Sequence, residues 1–358
     1  MAISPATPTG PSTGPTPAGP AAGPAAPAGP DQARRGDRHA LPRLSPRASF
    51  VLRRLGRALV SLAVVVVATF LVVHFVPGDP VRAALGPSAT PELVERTRAE
   101  LGLDQPAWRQ FTGYLTGLLH GDLGVSLRSH RPVADTLADR FPTTLALSVL
   151  SFLVAALGAV PIGVATAVAA RGGRRRAAGA GVSWVLSGLI AVPNFLLAVG
   201  LIALFGVTLN ALPVAGWGGA AEAVLPVAAL AVGPLAYLAR IVHVEMLAVL
   251  ETPYMTTARG KRLPARLLYL RHALPNMITA ALTTGGLILT GLVAGTVLIE
   301  AVFVIPGLGS TIVSSITAKD YPMIQGVVLV YAALVLGLNL LIDLVLATLD
   351  PRSSIMEG

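Results

Sequence analysis

The residues best suited to do work in this sequence lie at Glu251–Asn276, ETPYMTTARGKRLPARLLYLRHALPN. Thr252 is placed to cap a helix that Pro253 opens, where a missing N–H costs nothing. Gly260 offers a left-handed or otherwise permissive stop for that helix. Pro264 opens a second short helix, in which Leu267, Leu268 and Leu270 alternate with Arg266 and Arg271, and Pro275 starts another apolar segment. A basic helical hairpin with an apolar side has two uses: it lies on anionic lipid, or it docks a soluble partner. Phosphate chemistry is a third possibility to weigh, through Gly260, Lys261 and Arg262. Those residues lack the spaced glycine and the magnesium-binding hydroxyl of a phosphate loop, and no G-x-x-x-x-G-K-[ST] occurs anywhere.

Other chemistry is sparse. Cysteine is absent, which excludes thiolate metal sites, disulfides and a cysteine nucleophile. His74 is expected to be the lone histidine in the spans, so no metal cluster and no catalytic residue are expected. Two acidic residues stand out, because a charge at the centre of a membrane helix costs about 2.5–3.5 kcal/mol on insertion scales. Glu300 falls at the outer end of an apolar run, interfacial or lining an external gate. Asp343 falls near the inner end of the last run, beside Asn339, placed to pair with a basic neighbour or a second subunit. The structural role is the preferred reading for both.

The elements that must position these residues are membrane helices. The chain has 358 residues, 53% hydrophobic and 13% charged, against about 25% charged in soluble domains. Its formal charge of +9 does not indicate nucleic acid, because the cations sit between long uncharged runs rather than along one face. The runs predict six spans, at about 56–76, 141–170, 180–206, 223–248, 276–300 and 322–347. Each is near or above the ~20 residues that cross ~30 Å of hydrocarbon, and too long for barrel strands. Asn210, Pro213 and Gly216 mark where the third run leaves the membrane. Pro161, Pro193 and Pro234 are expected as kinks, and Gly285, Gly286, Gly291 and Gly295 as close helix contacts. Before the first span, residues 1–47 are rich in Pro, Gly and Ala and then basic, composed like a disordered tail.

The fold class is therefore an all-α membrane protein, with a transmembrane body over 48–352, an external loop at 77–140, a polar loop at 249–275 and a short end at 353–358. Short loops set orientation. Arg171, Arg174, Arg175 and Arg176 in one, and Arg259, Lys261, Arg262, Arg266 and Arg271 in another, place both termini and the 249–275 loop in the cytosol. Lys319 is the only cation in the short outer links.

With those residues in place, the loop resembles the coupling loop of ABC-importer permeases, in the version of the dipeptide, oligopeptide and nickel permease family. That pattern is close to Tyr-x-x-Thr-Ala-Arg-Ala-Lys-Gly-Leu followed by His-Ala-Leu-x-Asn. This chain has Tyr254, Thr257, Ala258, Arg259, Gly260, Lys261, Arg262 and Leu263, then His272, Ala273, Leu274 and Asn276. Arg262 stands where the pattern has glycine and Gly260 where it has alanine, with Pro264 close behind, so the flexible point is expected two residues upstream. The resemblance extends through Pro77-Gly78-Asp79-Pro80, Leu101–Pro106 and Gly121-Asp122-Leu123-Gly124. It continues through Glu300, Phe303, Pro306-Gly307-Leu308-Gly309, Asp320-Tyr321-Pro322, Gln325-Gly326, Asn339–Asp343 and Asp350-Pro351-Arg352.

The resemblance implies the fold of a type I ABC-importer permease and a non-enzymatic pore subunit in a bacterial cytoplasmic membrane. It would work beside a second, similar permease, two cytosolic ATPases that use ATP and magnesium, and an extracytoplasmic substrate-binding protein. It implies that Tyr254, Thr257, Ala258, Arg259, Gly260, Lys261, Arg262, Leu263 and Pro264 couple to the ATPases. Glu300, Pro306, Gly307, Gly309, Asn339 and Asp343 are candidates for the pathway or its gate. Di- and oligopeptides are the expected cargo, nickel or another small solute the alternative. An ion-coupled transporter would want inverted repeats and ionisable groups at mid-membrane. An intramembrane enzyme would want a nucleophile and base at one depth.

Overall fold

The computed structural model describes residues 46–75, 80–86, 89–100, 102–171 and 176–349. The basic part of the tail before Pro46, Pro77-Gly78-Asp79, Arg174, Arg175 and Asp350-Pro351-Arg352 lie outside the described residues, as does the side chain of His74.

Among the described residues, five helices are long and apolar enough to cross a membrane. They are α1 (Pro46–Phe75), α5 (Val133–Arg171), α8 (Ala220–Leu250), α11 (Leu274–Val302) and α13 (Tyr321–Leu349). Between α1 and α5 come α2 (Pro80–Leu85), α3 (Pro91–Glu100) and α4 (Ala107–Leu119).

The third expected span is not one helix. It is a pair, α6 (Arg176–Ala191) and α7 (Asn194–Leu201), with a π-helical turn over Ile202–Thr208. The two members are bent by 101°. Pro193 causes the break: it has no N–H to continue the ladder, and it stands at the start of α7, where its carbonyl accepts from Leu196 and Leu197 N–H. Pro161 and Pro234, by contrast, remain inside α5 and α8.

The core of the bundle is the pairing of α5 with α8. Leu147, Ser151, Ala155, Ala159, Gly163 and Ala167 recur every fourth residue on α5 and are all buried. Such a stripe of small side chains lets two backbones approach closely. A Cβ added at Gly163 would lie 2.6 Å from the Ala239 carbonyl oxygen. Gly295 meets Leu230 and Gly286 meets Ile342, as packing glycines should, but Gly291 faces open space.

Contacts along the bundle define its two ends. Gly158 meets Leu235, Thr166 meets His243 at 3.0 Å, and Arg171 reaches Leu250, so α5 and α8 run parallel. His243 is thus a second histidine in a spanning helix, against the expectation of His74 alone. At the opposite end Thr144 meets Glu300, and Gly216 N–H donates to Phe303 O. The segment from α6 to α8 therefore begins at one end and arrives at the other, a single crossing. Over the described residues the chain passes between the ends six times, counting the bent pair as one crossing, and the loops 80–132 and 251–273 lie at opposite ends.

Candidate functional site

The hairpin grows directly from the end of α8. Its first arm, α9 (Pro253–Gly260), begins with Pro253 at the first turn as expected, but Thr252 does not cap it. The Thr252 hydroxyl donates backward instead, to Val249 O at 2.6 Å. Met255 and Ala258, three apart on α9, bury against Met246, Leu250, Leu268, Ala273 and Met277. The polar residues of α9 then face outward by the helical period. Two guanidiniums converge on one main-chain oxygen: Arg171 Nη1 and Arg259 Nη2 each donate to Leu250 O at 2.9 Å. Arg171 also pairs with Glu251 at 3.4 Å. Cations at a helix C-terminus complement its dipole, and here one of them belongs to α5 and the other to α9.

The turn departs from the expectation. Gly260 is the last helical residue, without a positive φ, and nothing lies within 4 Å of a Cβ placed there. The left-handed residue is Arg262, at φ 54°, with its N–H donating to Arg259 O at 2.8 Å. The flexible point has therefore not moved upstream. It stays at the position where the related pattern has glycine, held by an arginine.

The second arm is not a separate helix either. Pro264 stands ahead of α10 (Ala265–Leu267), which runs through a π-helical turn, Leu268–Ala273, into α11. His272 Nδ1 lies 3.1 Å from Leu267 O, and Asn276 donates to His272 O. Pro275 thus sits within a continuous helix. Between the arms lies a cavity of about 470 Å³ lined by Tyr254, Thr257, Ala258, Lys261, Leu263, Leu267, Arg271 and His272. Its rim offers a phenol, a hydroxyl, an ammonium and a guanidinium, which suits insertion of a carbonyl- or carboxylate-bearing side chain.

The other end of α11 carries the buried acid. Glu300 is fully buried, inside the protein rather than at an interface. Thr144 Oγ1 donates to Glu300 Oε1 at 2.7 Å and accepts from Leu308 N–H at 2.8 Å; Ser310 N–H donates to Oε2 at 3.0 Å. The Tyr331 and Thr296 hydroxyls, 3.2 Å apart, complete the surround. The donors come from α5 and from α12 (Leu308–Ala318), a short helix that no apolar run announced. A Cβ on Gly307 would collide with this carboxylate, and one on Gly309 would lie 2.5 Å from Val297 Cα. Gly307 has an extended backbone open to any residue, so closeness, not conformation, requires glycine there. Pro306 is exposed beside it. A buried acid is tolerated only when its oxygens are saturated with donors, and this one is.

The remaining candidates also find partners. Asn339 Oδ1 accepts from the Thr290 hydroxyl at 2.8 Å, joining α13 to α11. Asp343 pairs with Arg54 of α1 at 2.6 Å, the basic-neighbour alternative. Two groups escaped the sequence reading. Arg171 counted only as a topology marker, and nothing local signalled its reach to Leu250. Ser126 donates to Asp320 at 2.5 Å and Leu127 N–H to the same carboxylate at 3.1 Å, tying the 80–132 loop to the start of α13. The Asp320-Tyr321-Pro322 motif marked one half of that knot.

Among known proteins, residues 159–355 match the family model described as binding-protein-dependent transport system inner membrane component, and residues 47–148 match the model for the N-terminal part of that component. A Brucella abortus protein named as a peptide transport system permease is 37% identical over 313 residues, covering 85% of this chain and 98% of the relative. The glutathione transport system permease protein GsiC of Pectobacterium atrosepticum is 37% identical over 303 residues, with the same shares covered. Among solved structures, the MetNI methionine ABC transporter, in inward-facing conformations, superimposes with a TM-score of 0.50 at 19% identity, over 60% of this chain and 96% of that one, a likeness of fold. The chain is thus a multi-pass inner-membrane permease, and it belongs to the family of binding-protein-dependent transport system inner membrane components.

Proposed function

We propose that this chain forms half of a pathway that imports short peptides, driven by ATP and magnesium used on two cytosolic partner subunits. A second, similar permease completes the pathway, and an extracytoplasmic binding protein delivers the cargo. In this reading the chain itself catalyses nothing and binds no cofactor. The peptide and glutathione systems named for its relatives support the cargo class, and the arginine-rich short loops support cytosolic termini.

The observation that carries the proposal is the hairpin. It buries methyls and a thioether, turns Tyr254, Thr257 and Lys261 toward an open cavity, and is pinned to both α5 and α8 through the Leu250 carbonyl. A load applied to α9 reaches two spanning helices at once. That is what converts movement of a docked partner into movement of a pore.

The test is Gly260→Glu. Open space surrounds that position, so the variant should insert and fold normally. An acid on the outer face should nonetheless lower ATP-driven dipeptide uptake in proteoliposomes at least tenfold. Uptake at the normal rate would remove the docking role. Ala258 is a poorer choice, since it is buried in the hairpin core and a large residue there tests folding instead.

A further inference from the structure

We propose that the cavity beside α4, at the end opposite the hairpin, is a receiving site for a short zwitterionic peptide, bound there by the permease itself before it enters the membrane. The proposal rests on the import reading above and adds a substrate site where α4 meets the ends of α1 and α13.

Size, chemistry and construction carry it. The cavity holds about 500 Å³, within the roughly 300–1,000 Å³ of small-molecule sites. Arg109, Asp122, Gln105 and Gln325 are among its lining residues, and the Arg109 guanidinium lies 5.2 Å from the centroid of the neighbouring Trp108 ring. Those four lining residues complement a peptide's carboxylate, its ammonium and the donor–acceptor pairs of its backbone. Asp122 spends one oxygen on Gly124 N–H at 2.8 Å, leaving the other for an ammonium group. Tyr114 forms part of the wall. A zwitterionic lipid headgroup shares the two end charges but has no use for amide-lined walls, so the peptide is the better fit.

The site is built rather than incidental. Phe70 of α1 packs against Phe111 and Tyr114 of α4, with ring centroids 5.1 and 6.2 Å apart. The opposite wall is fixed by Asp320, through Ser126 and Leu127. On α4, Gly113 lines the cavity between Arg109 and Gly117, and nothing lies within 4 Å of a Cβ placed on it. A helix interior normally prefers any side chain to glycine. Here a side chain would occupy the space that a ligand would use.

The test uses the assembled transporter in proteoliposomes, radiolabelled L-alanyl-L-alanine, and no added binding protein. The wild type should bind the dipeptide saturably. Gly113→Phe should abolish that binding, and Arg109→Gln should weaken it about tenfold, the worth of one charge-assisted bond. The C-amidated dipeptide, which lacks a carboxylate, should bind the wild type and Arg109→Gln equally weakly. Absence of wild-type binding, equal binding by the variants, or displacement by phosphatidylethanolamine but not by unlabelled dipeptide would overturn the site. If Gly113→Phe does not assemble, the pairing of Arg109→Gln with the amidated dipeptide decides alone. Failure of the wild type to take up dipeptide even with its binding protein would strike the import reading instead.

Discussion

Two polar connections sit at the tips of α11, and they are held in opposite ways. The hairpin before it keeps its charges outside and buries only Met255, Ala258 and their neighbours. Its fastenings are guanidinium bonds to one backbone oxygen, partly open to water. The turn after it buries a carboxylate and surrounds it with donors from two other helices. Exposed bonds are worth little and are easily remade, which suits an element that must shift with a partner. Buried acid clusters are costly to disturb, which suits a joint that must not move.

The comparison breaks most readily at Glu300. Glu300→Ala leaves the Thr144 hydroxyl and Ser310 N–H without their acceptor, so the loss should reach about 3 kcal/mol or more. Thermal unfolding in detergent would read it; a variant as stable as the wild type would make the joint ornamental. Arg259→Gln should do far less to stability, about 1 kcal/mol, because Arg171 keeps the Leu250 carbonyl. It should instead lower uptake several-fold relative to ATP hydrolysis, and a matched fall in both would argue against a transmission role. The smallest effect belongs to Arg262→Gly. A side chain in the left-handed region costs about 1 kcal/mol, so this change should stabilise the chain by that order and leave uptake intact. A loss of stability would mean that the arginine side chain, not the turn, holds the hairpin.

Much of this was legible in the residues. Uniform apolar runs gave five spans, because lipid permits little but helix, and Pro253 placed α9. What escaped depends on partners distant in sequence. Pro161 and Pro193 look alike locally, yet only Pro193 ends its helix, in a pair bent by 101°. Gly260 drew the turn toward itself because glycine is the usual left-handed residue, while the backbone set that conformation at Arg262. Glu300 and Thr144 are 156 positions apart, so the sequence offered a suspicious acid and no acceptor geometry. Helix α12 is apolar but, at 11 residues, too short to register as a spanning run.

The elbow at Pro193 has a consequence for what must surround it. Where α6 stops and α7 starts, carbonyls and amides lose their in-helix mates, and oil cannot replace them. The hollow of about 330 Å³ at this elbow has mostly apolar walls, from Ile190, Leu230, Ile288 and Leu292, with Asn194 and Tyr237 as its polar side chains. The elbow's bared main-chain groups must be met by such polar side chains or by water, because an acyl tail offers them nothing.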